Sequence, residues 1–343
     1  MNILFLKGSN EPNGCVYHRI EVPMAYIGAG HELASTTVLD GITDDVLRKF
    51  DVVYFNGANG LIDVPAQIAR LKKLGVPYVL DIDDYWVLSA AHVLAKYYKE
   101  VHADIIKSLM INAECVTTTH ERLAERIRPY NGNVVVAPNC IAPKEAQWQS
   151  VAKEHDGIVF GWAGSMHHQG DIEMIYPAMR KSFGLECYWL LGGFTEGNKM
   201  FEYFDGMFSN WGKSKKYIRL PAMNVYSYAQ MYDLIDVAMI PLENNLFNSM
   251  KSNLKLLEAG FKKKAVICSN VQPYKDLLTA KNSIACNTVA EWKAAIRKLY
   301  NNPNLIYDLG QQLYEDVRHK YDIENNNPRT QIFNQWSKAA VSK

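Results

Sequence analysis

The feature that most constrains this chain is a rhythm that runs through it twice. Short apolar runs, rich in β-branched and aromatic residues, alternate with helix-like segments and stop at turn residues. The first series is Ile3–Lys7, Val52–Asn56, Tyr78–Ile82, Cys115–Thr119 and Val134–Ala137, with helical patterns such as Val64–Leu74 and Ala91–Asn112 between them. The second restarts at Ile158–Ala163 and continues through Tyr188–Leu191, Tyr217–Leu220, Val237–Ile240 and Ala265–Cys268, with helices expected at Tyr228–Leu234 and Leu254–Phe261. Buried strands alternating with helices predict a parallel sheet covered on both faces. Two such series predict an α/β protein of two doubly wound, Rossmann-like domains.

The boundaries follow from composition. Pro138, Pro143 and the polar stretch Lys144–Asp156 separate the halves, which places one domain at 1–143 and the other at 157–326. A closing helix over 327–343 carries Ile332, Phe333 and Trp336 on one face and is expected to return to the first domain. In such sheets ligands sit beyond the carboxyl ends of the strands, so the cleft between the domains is the expected site.

Several function classes are disfavoured by the bulk numbers. The 343 residues suit two domains of about 150 each. Thirty-seven Lys and Arg against thirty-six Asp and Glu leave a net charge of +1, which argues against a global electrostatic grip on nucleic acid. The longest apolar runs, such as Val237–Leu242, fall far short of the roughly 20 residues of a membrane span. Met1 and Asn2 lead straight into the first strand, so no export is expected. Six scattered cysteines form no C-x-x-C pair and have no histidine at zinc spacing. A reduced cytoplasmic protein without structural metal is the expectation.

The most informative stretch runs from Pro241 to Gly260. A strand ends at Pro241, a polar loop follows, and a helix is expected to start near Ser249 or Ser252, either of which suits an N-cap. Lys251 would sit at the positive end of that helix, where a cation is unfavourable unless an anion binds; a diphosphate fits. Lys255 would lie one turn on, and Glu258 three residues later, suited to accept hydrogen bonds from sugar hydroxyls. A solvated Lys/Glu helix face is the plain alternative.

A second loop, Phe160-Gly-Trp-Ala-Gly-Ser165, follows the first strand of the second half. Gly161 and Gly164 permit close backbone approach, and Ser165 offers a hydroxyl. It is neither a Walker loop nor G-x-G-x-x-G. His167 and His168 follow, with a structural or capping role favoured for at least one of them.

In the first half, a turn from Gly8 to Gly14 precedes Tyr17, His18 and Arg19, which suit an acceptor; alternatively Arg19 pairs with a carboxylate such as Glu21 or Asp84. Asp81-Ile-Asp-Asp84 closes the third strand. A D-x-D pair can share a divalent ion, but a polar contact from Asp83 or Asp84 to a sugar or acceptor hydroxyl is favoured here. His120, at another strand's carboxyl end, is a further candidate.

These residues resemble the retaining GT-B glycosyltransferases of the "group 1" superfamily, which includes glycogen and sucrose synthases, and above all its small bacterial and bacteriophage members. The resemblance is carried by Cys115–Asn139, Gly161–Asp171, Val237–Leu242 and Phe247–Glu258. It implies two domains facing a cleft, a nucleotide-diphosphate sugar (UDP-sugar expected) as co-substrate, transfer with retention, and neither bound metal nor cofactor. The donor set it suggests is Gly14, Gly164, Ser165, Asn248, Lys251, Ser252, Lys255 and Glu258. Tyr17, His18 and Arg19 are the acceptor candidates, and Asp83, Asp84 and His120 the catalytic ones. The superfamily's E-x7-E pair is broken, because the position eight before Glu258 is Met250.

The acceptor stays open between a surface glycan or lipid-linked precursor and hydroxymethylated pyrimidine in phage DNA, the latter in a host cytoplasm. For the DNA version, Lys213, Lys215, Lys216, Arg219 and Lys262–Lys264 are candidate phosphate contacts. A nucleotide-sugar epimerase of the same fold and a non-catalytic nucleotide-sugar binding protein are the alternatives.

Overall fold

The computed structural model describes residues 1–89 and 94–341. It contains two parallel six-stranded sheets. The first is built from β1 (Asn2–Leu6), β2 (Glu32–Thr36), β3 (Val52–Asn56), β4 (Tyr78–Ile82), β5 (Cys115–Thr118) and β6 (Val134–Val136), in the order β2-β1-β3-β4-β5-β6. The second contains β7 (Val159–Ala163), β8 (Tyr188–Phe194), β9 (Tyr217–Pro221), β10 (Val237–Ile240), β11 (Ala265–Ser269) and β12 (Ile284–Cys286), in the order β12-β11-β10-β7-β8-β9. In both, the first strand of the series lies inside the sheet and the chain later crosses to its other side. That reversal creates a switch point between β1 and β3, and another between β7 and β10.

The central strands are the ones the apolar runs predict. Every residue of β3, β4 and β11 is buried. The two strands that no run announces are edges: β2 reads Glu-Leu-Ala-Ser-Thr and is half exposed, and β12 has three residues. The helix Val64–Leu74 shows how local chemistry sets the ends. Asp63 caps it by accepting from the Ala66 N–H at 3.1 Å, Pro65 occupies the first turn, and Gly75 ends it in the left-handed region at φ 69°. Val64, Ile68 and Leu71 form its buried stripe. Residues 91–93 of the helix expected from Ala91 lie outside the described residues; the described part runs Ala95–Tyr97, a π-helical turn Tyr98–His102, and Ala103–Asn112.

The chain divides into two compact units. The first unit is Met1–Ile141, Asn245–Ser252 and Ile323–Lys343; the second is Ala142–Asn244 and Asn253–Asp322. The short segment Asn245–Ser252 therefore leaves the half to which the sequence assigned it. Met250 explains this, packing in the first unit's core with Ile82, Trp86 and Leu123. The helix Pro328–Val341 also belongs to the first unit, where Ile332 and Phe333 pack with Ile3, Val16 and Tyr54; residues 342–343 lie outside the described residues. The second unit's core is strongly aromatic, with Phe160, Trp162, Trp189, Phe204, Phe208 and Trp292 buried in one cluster.

Candidate functional site

Each unit carries a cavity at the carboxyl ends of its strands. In the second unit a cavity of about 500 Å³ is lined from the ends of β7, β8 and β9, by the 3₁₀ segment Tyr228–Leu234, and by the helix Leu254–Phe261. Gly164 and Ser165 open the loop after β7. Gly164 has to be glycine, since a Cβ there would lie 2.6 Å from the Trp162 ring and 3.1 Å from Lys255 Nζ. Gly193, at φ +93°, makes the matching approach from β8, where a Cβ would fall 2.5 Å from the Gly164 carbonyl. Two strand ends thus meet backbone to backbone, with the Gly164 N–H donating to the Gly192 carbonyl at 3.4 Å and Ser165 next in the cavity wall.

Lys255 and Glu258 reach this cavity from one helix, one turn apart. Lys255 Nζ donates to the Ala163 carbonyl at 2.5 Å and lies 5.6 Å from the centre of the Trp162 ring, so an aromatic floor supports the cation. Glu258 is 6% exposed, and its two carboxylate oxygens accept from Tyr228 Oη at 2.7 Å and Tyr232 Oη at 2.9 Å. Burial raises its pKa above the usual carboxylate range, against the pull of Lys255 and both tyrosines. The tyrosine pair escaped sequence reasoning, because it comes from a segment some 30 residues upstream with no distinctive spacing. His168 Nδ1 lies 2.6 Å from Asp171, whose other oxygen accepts from the Glu243 N–H. That makes His168 a brace for the loop, while His167 lines the cavity.

In the first unit a cavity of about 310 Å³ lies at the ends of β3 and β4, with Asn13 and Cys15 contributed by the chain that follows β1. Asp83 and Asp84 line it together with Asn13, Cys15, Asn56 and Tyr98. The Asn56 amide donates to Asp81 Oδ2 and Asp83 Oδ1, both at 3.0 Å, which fixes Asp83 in place. Burial, then the charges of Asp84 and Asp81, raise the Asp83 pKa. The Asp83 charge in turn pushes the Cys15 thiol well up. Asp84 is more exposed and faces Lys251 Nζ at 3.9 Å.

Beneath this cavity runs a buried ionic network. Asp81 accepts from Arg19 Nε and Nη2 at 2.8 Å each, from Arg329 Nη2 at 3.2 Å, and from Thr117 Oγ1. Arg19 also donates to the Ala137 carbonyl and to Asn139 Oδ1, and Asn139 donates onward to Ser252 Oγ at 2.8 Å. Burial opposes charge on Asp81, but the two guanidiniums win and hold its pKa below the usual range.

Several expectations are corrected here. Tyr17, His18 and Arg19 are 1%, 3% and 1% exposed, so they underpin the first unit rather than reach toward an acceptor. Arg19 pairs with Asp81, not with Glu21 or Asp84; Glu21 is held by Lys7 at 2.7 Å. Burial and the adjacent Arg19 charge lower His18 to about 3, which keeps it neutral. His120 caps the helix Glu121–Ile127 by accepting from the Leu123 N–H at Nδ1, 3.2 Å away. Its Nε2 then carries the proton and donates to the carbonyls of Met250 and Lys251, which is an architectural role.

Neither Ser249 nor Ser252 caps the Lys255 helix. Asn245 caps a separate turn, Leu246–Ser249, and Asn253 stands at the start of the helix proper. Lys251 consequently lies outside that helix, and with Gly14, Asn248 and Ser252 it belongs to the first unit, whereas Gly164, Ser165, Lys255 and Glu258 share the second unit's cavity. The basic groups considered for DNA divide, with Lys213, Lys215 and Arg219 exposed at the surface and others held in the fold. Lys262 and Lys264 are buried, with Lys262 paired to Asp233 at 2.9 Å, while Lys216 pairs with Glu186 and Arg219 with Asp205.

Residues 8–140 match the family model described as "Glycosyl transferase 4-like domain". The sequence matches no curated protein. Among solved structures, the chain is similar to sucrose-phosphate synthase from Thermosynechococcus elongatus, at 14% identity and TM-score 0.73 over 99% of this chain and 100% of that one. It is also similar to Anabaena HepE in complex with UDP and glucose, at 13% identity and TM-score 0.69 over 98% and 99%. A glycosyltransferase from Rickettsia africae follows at 11% identity and TM-score 0.65, covering 97% of each chain. The architecture is therefore the two-unit α/β GT-B fold, with a glycosyl transferase 4-like match over residues 8–140.

Proposed function

We propose that this chain is a glycosyltransferase that moves a sugar from a UDP-sugar to an acceptor hydroxyl with retention of configuration. The observation that carries this reading is the second unit's cavity, where the Gly164–Ser165 backbone, the Lys255 ammonium and the Glu258 carboxylate converge. Backbone N–H groups and a cation suit a diphosphate, and a buried carboxylate suits ribose hydroxyls. Lys255, supported on Trp162, would offset the charge that builds on the departing diphosphate. HepE, of the same fold, binds UDP-glucose.

The first unit's cavity is the proposed acceptor pocket, with Asp83 and Asp84 as its hydroxyl-contacting groups. Asp83, held by Asn56 and raised in pKa, is the better placed of the two to take a hydroxyl's proton. Among the described residues no group of three or more His, Cys, Asp or Glu side chains could hold a metal ion. If Lys255 alone offsets the diphosphate charge, turnover survives EDTA; complete loss restored by manganese would instead put a divalent ion at the site.

A thermal-shift titration with UDP, GDP, ADP and CMP tests the donor half. UDP should raise the melting temperature and Lys255→Ala should remove most of the rise. A shift with another nucleotide alone would replace UDP, and no shift with any would overturn the donor site.

A further inference from the structure

The acceptor pocket has an electrostatic sign. Its described lining contains two carboxylates, Asp83 and Asp84, and no lysine or arginine. Arg19 lies below it but is spent on Asp81 and Asn139. Lys251, from outside the lining, faces Asp84 at 3.9 Å and partly offsets the carboxylate field at Cys15. His102, also in the wall, is held toward its neutral form by burial. Two further wall groups register the same field: the Asp83 charge, then burial, opposes ionisation of Cys15, and burial, then both carboxylates, opposes that of Tyr98.

The polar groups left to meet a ligand are hydrogen-bonding ones: the carboxylates, the Asn13 and Asn59 amides and the Tyr98 hydroxyl. Carboxylates accept from adjacent hydroxyls, and amides both donate and accept. Asn56, 4% exposed, anchors the arrangement by its shared bonds to Asp81 and Asp83. A cavity of about 310 Å³ is at the small end for ligand sites, the scale of one ring rather than an extended chain.

We infer that the group received by this pocket is an uncharged polyhydroxylated ring, a neutral sugar, and that the Asp83–Asp84 pair rejects rings bearing phosphate or carboxylate. The inference rests on the pocket's proposed acceptor role and adds the class of acceptor. An anion brought within a few ångströms of two carboxylates meets repulsion that water only partly screens, whereas a neutral diol gains hydrogen bonds from the same groups.

Saturation-transfer NMR on the whole protein tests it, with UDP present to fill the donor pocket. The probes are methyl α-glucopyranoside, methyl glucuronide and glucose 6-phosphate. The neutral glycoside should bind, and the two anions should bind roughly tenfold more weakly or worse. Asp84→Asn, which removes the charge but keeps a hydrogen-bonding group, should close much of that gap, read as the ratio of anion to neutral-glycoside affinity. Anions binding wild type as well as the neutral ring, no glycoside signal, or a gap unchanged in Asp84→Asn would each overturn the inference. A separate calorimetric titration with UDP keeps the failures apart, since absent UDP binding overturns the donor reading and leaves the glycoside comparison to stand or fall by itself.

Discussion

Beneath the second unit's cavity lies an aromatic floor, and beneath the first unit's an ionic one. Trp162 sits edge-on to Phe204 with ring centres 5.7 Å apart, and Lys255 rests over Trp162. In the first unit, Asp81 is buried between Arg19 and Arg329, with Tyr54 donating to its carboxylate at 3.4 Å. The two sheets differ in strand order, yet each reverses at a switch point, and the layer beneath each cavity is built in the opposite way. Over the Trp162 ring the Lys255 ammonium also donates to the Ala163 carbonyl and attracts the Glu258 carboxylate, and it lines the cavity wall. An ionic floor consumes its cations internally, so the wall above it shows carboxylates.

The largest effect should come from breaking the ionic floor. Asp81→Ala leaves two buried guanidiniums without their counter-charge, and such a loss costs about 3–5 kcal/mol. Urea denaturation should show it. Acid should act in the same direction: the folded Asp81 pKa is depressed, so its contribution is present above the ordinary carboxylate range and disappears as pH falls through the folded value. A variant that unfolds at the wild-type urea concentration would mean that Arg19 and Arg329 are satisfied without Asp81.

Next in size is the cation on the aromatic floor. Lys255→Ala should weaken UDP binding by about 1.5–3 kcal/mol, the scale of a charge-assisted hydrogen bond, read by calorimetry. The comparison sharpens if the same variant leaves methyl α-glucopyranoside binding unchanged. Unaltered UDP affinity would take Lys255 out of the donor site. Gly164→Ala tests the floor from above. Its Cβ would press on the Trp162 ring, which is packed against Phe204 and Phe208 and has little room to yield, so UDP affinity should fall by about 1–3 kcal/mol.

The fold was legible wherever burial made the sequence monotonous. The central strands β3, β4, β10 and β11 are wholly buried and mostly apolar because both sheet faces are covered, with Asp81 in β4 the charged exception. The edge strand β2, with exposed Glu32 and Leu33, has no such signature, and β12 is too short to show one. Sites divided in the same way. That Gly164, Ser165, Lys255 and Glu258 would share one cavity could be anticipated, because each pair sits within a few residues on one loop or one helix. Arg19 and Asp81 are 62 residues apart, and Arg329 comes from the last helix, so their meeting is a product of the sheet order. The expected serine cap failed for a local reason: Asn245 starts a short turn first, and Met250 is drawn into the first unit's core before the longer helix begins.

The smallest predicted effect separates the two buried carboxylates most cleanly. Glu258, unlike Asp81, has a raised pKa, because burial outweighs Lys255 and the two tyrosine hydroxyls. A carboxyl raised on folding binds its proton more tightly in the folded chain than in the unfolded one. Lowering the pH through the folded value therefore adds stability at this residue, the reverse of Asp81. Donor affinity should move the other way, since only the ionised form accepts from ribose hydroxyls without surrendering an oxygen to its own proton. UDP binding should weaken on acidification, starting above the ordinary glutamate range. Tyr232→Phe removes one hydroxyl that favours the ionised form, so it should cost about 1 kcal/mol in UDP affinity and move the acid-side loss to higher pH. Calorimetry across a pH series reads both, and an acid limb that stays in place in Tyr232→Phe would mean that the tyrosines hold the helix rather than tune the carboxylate.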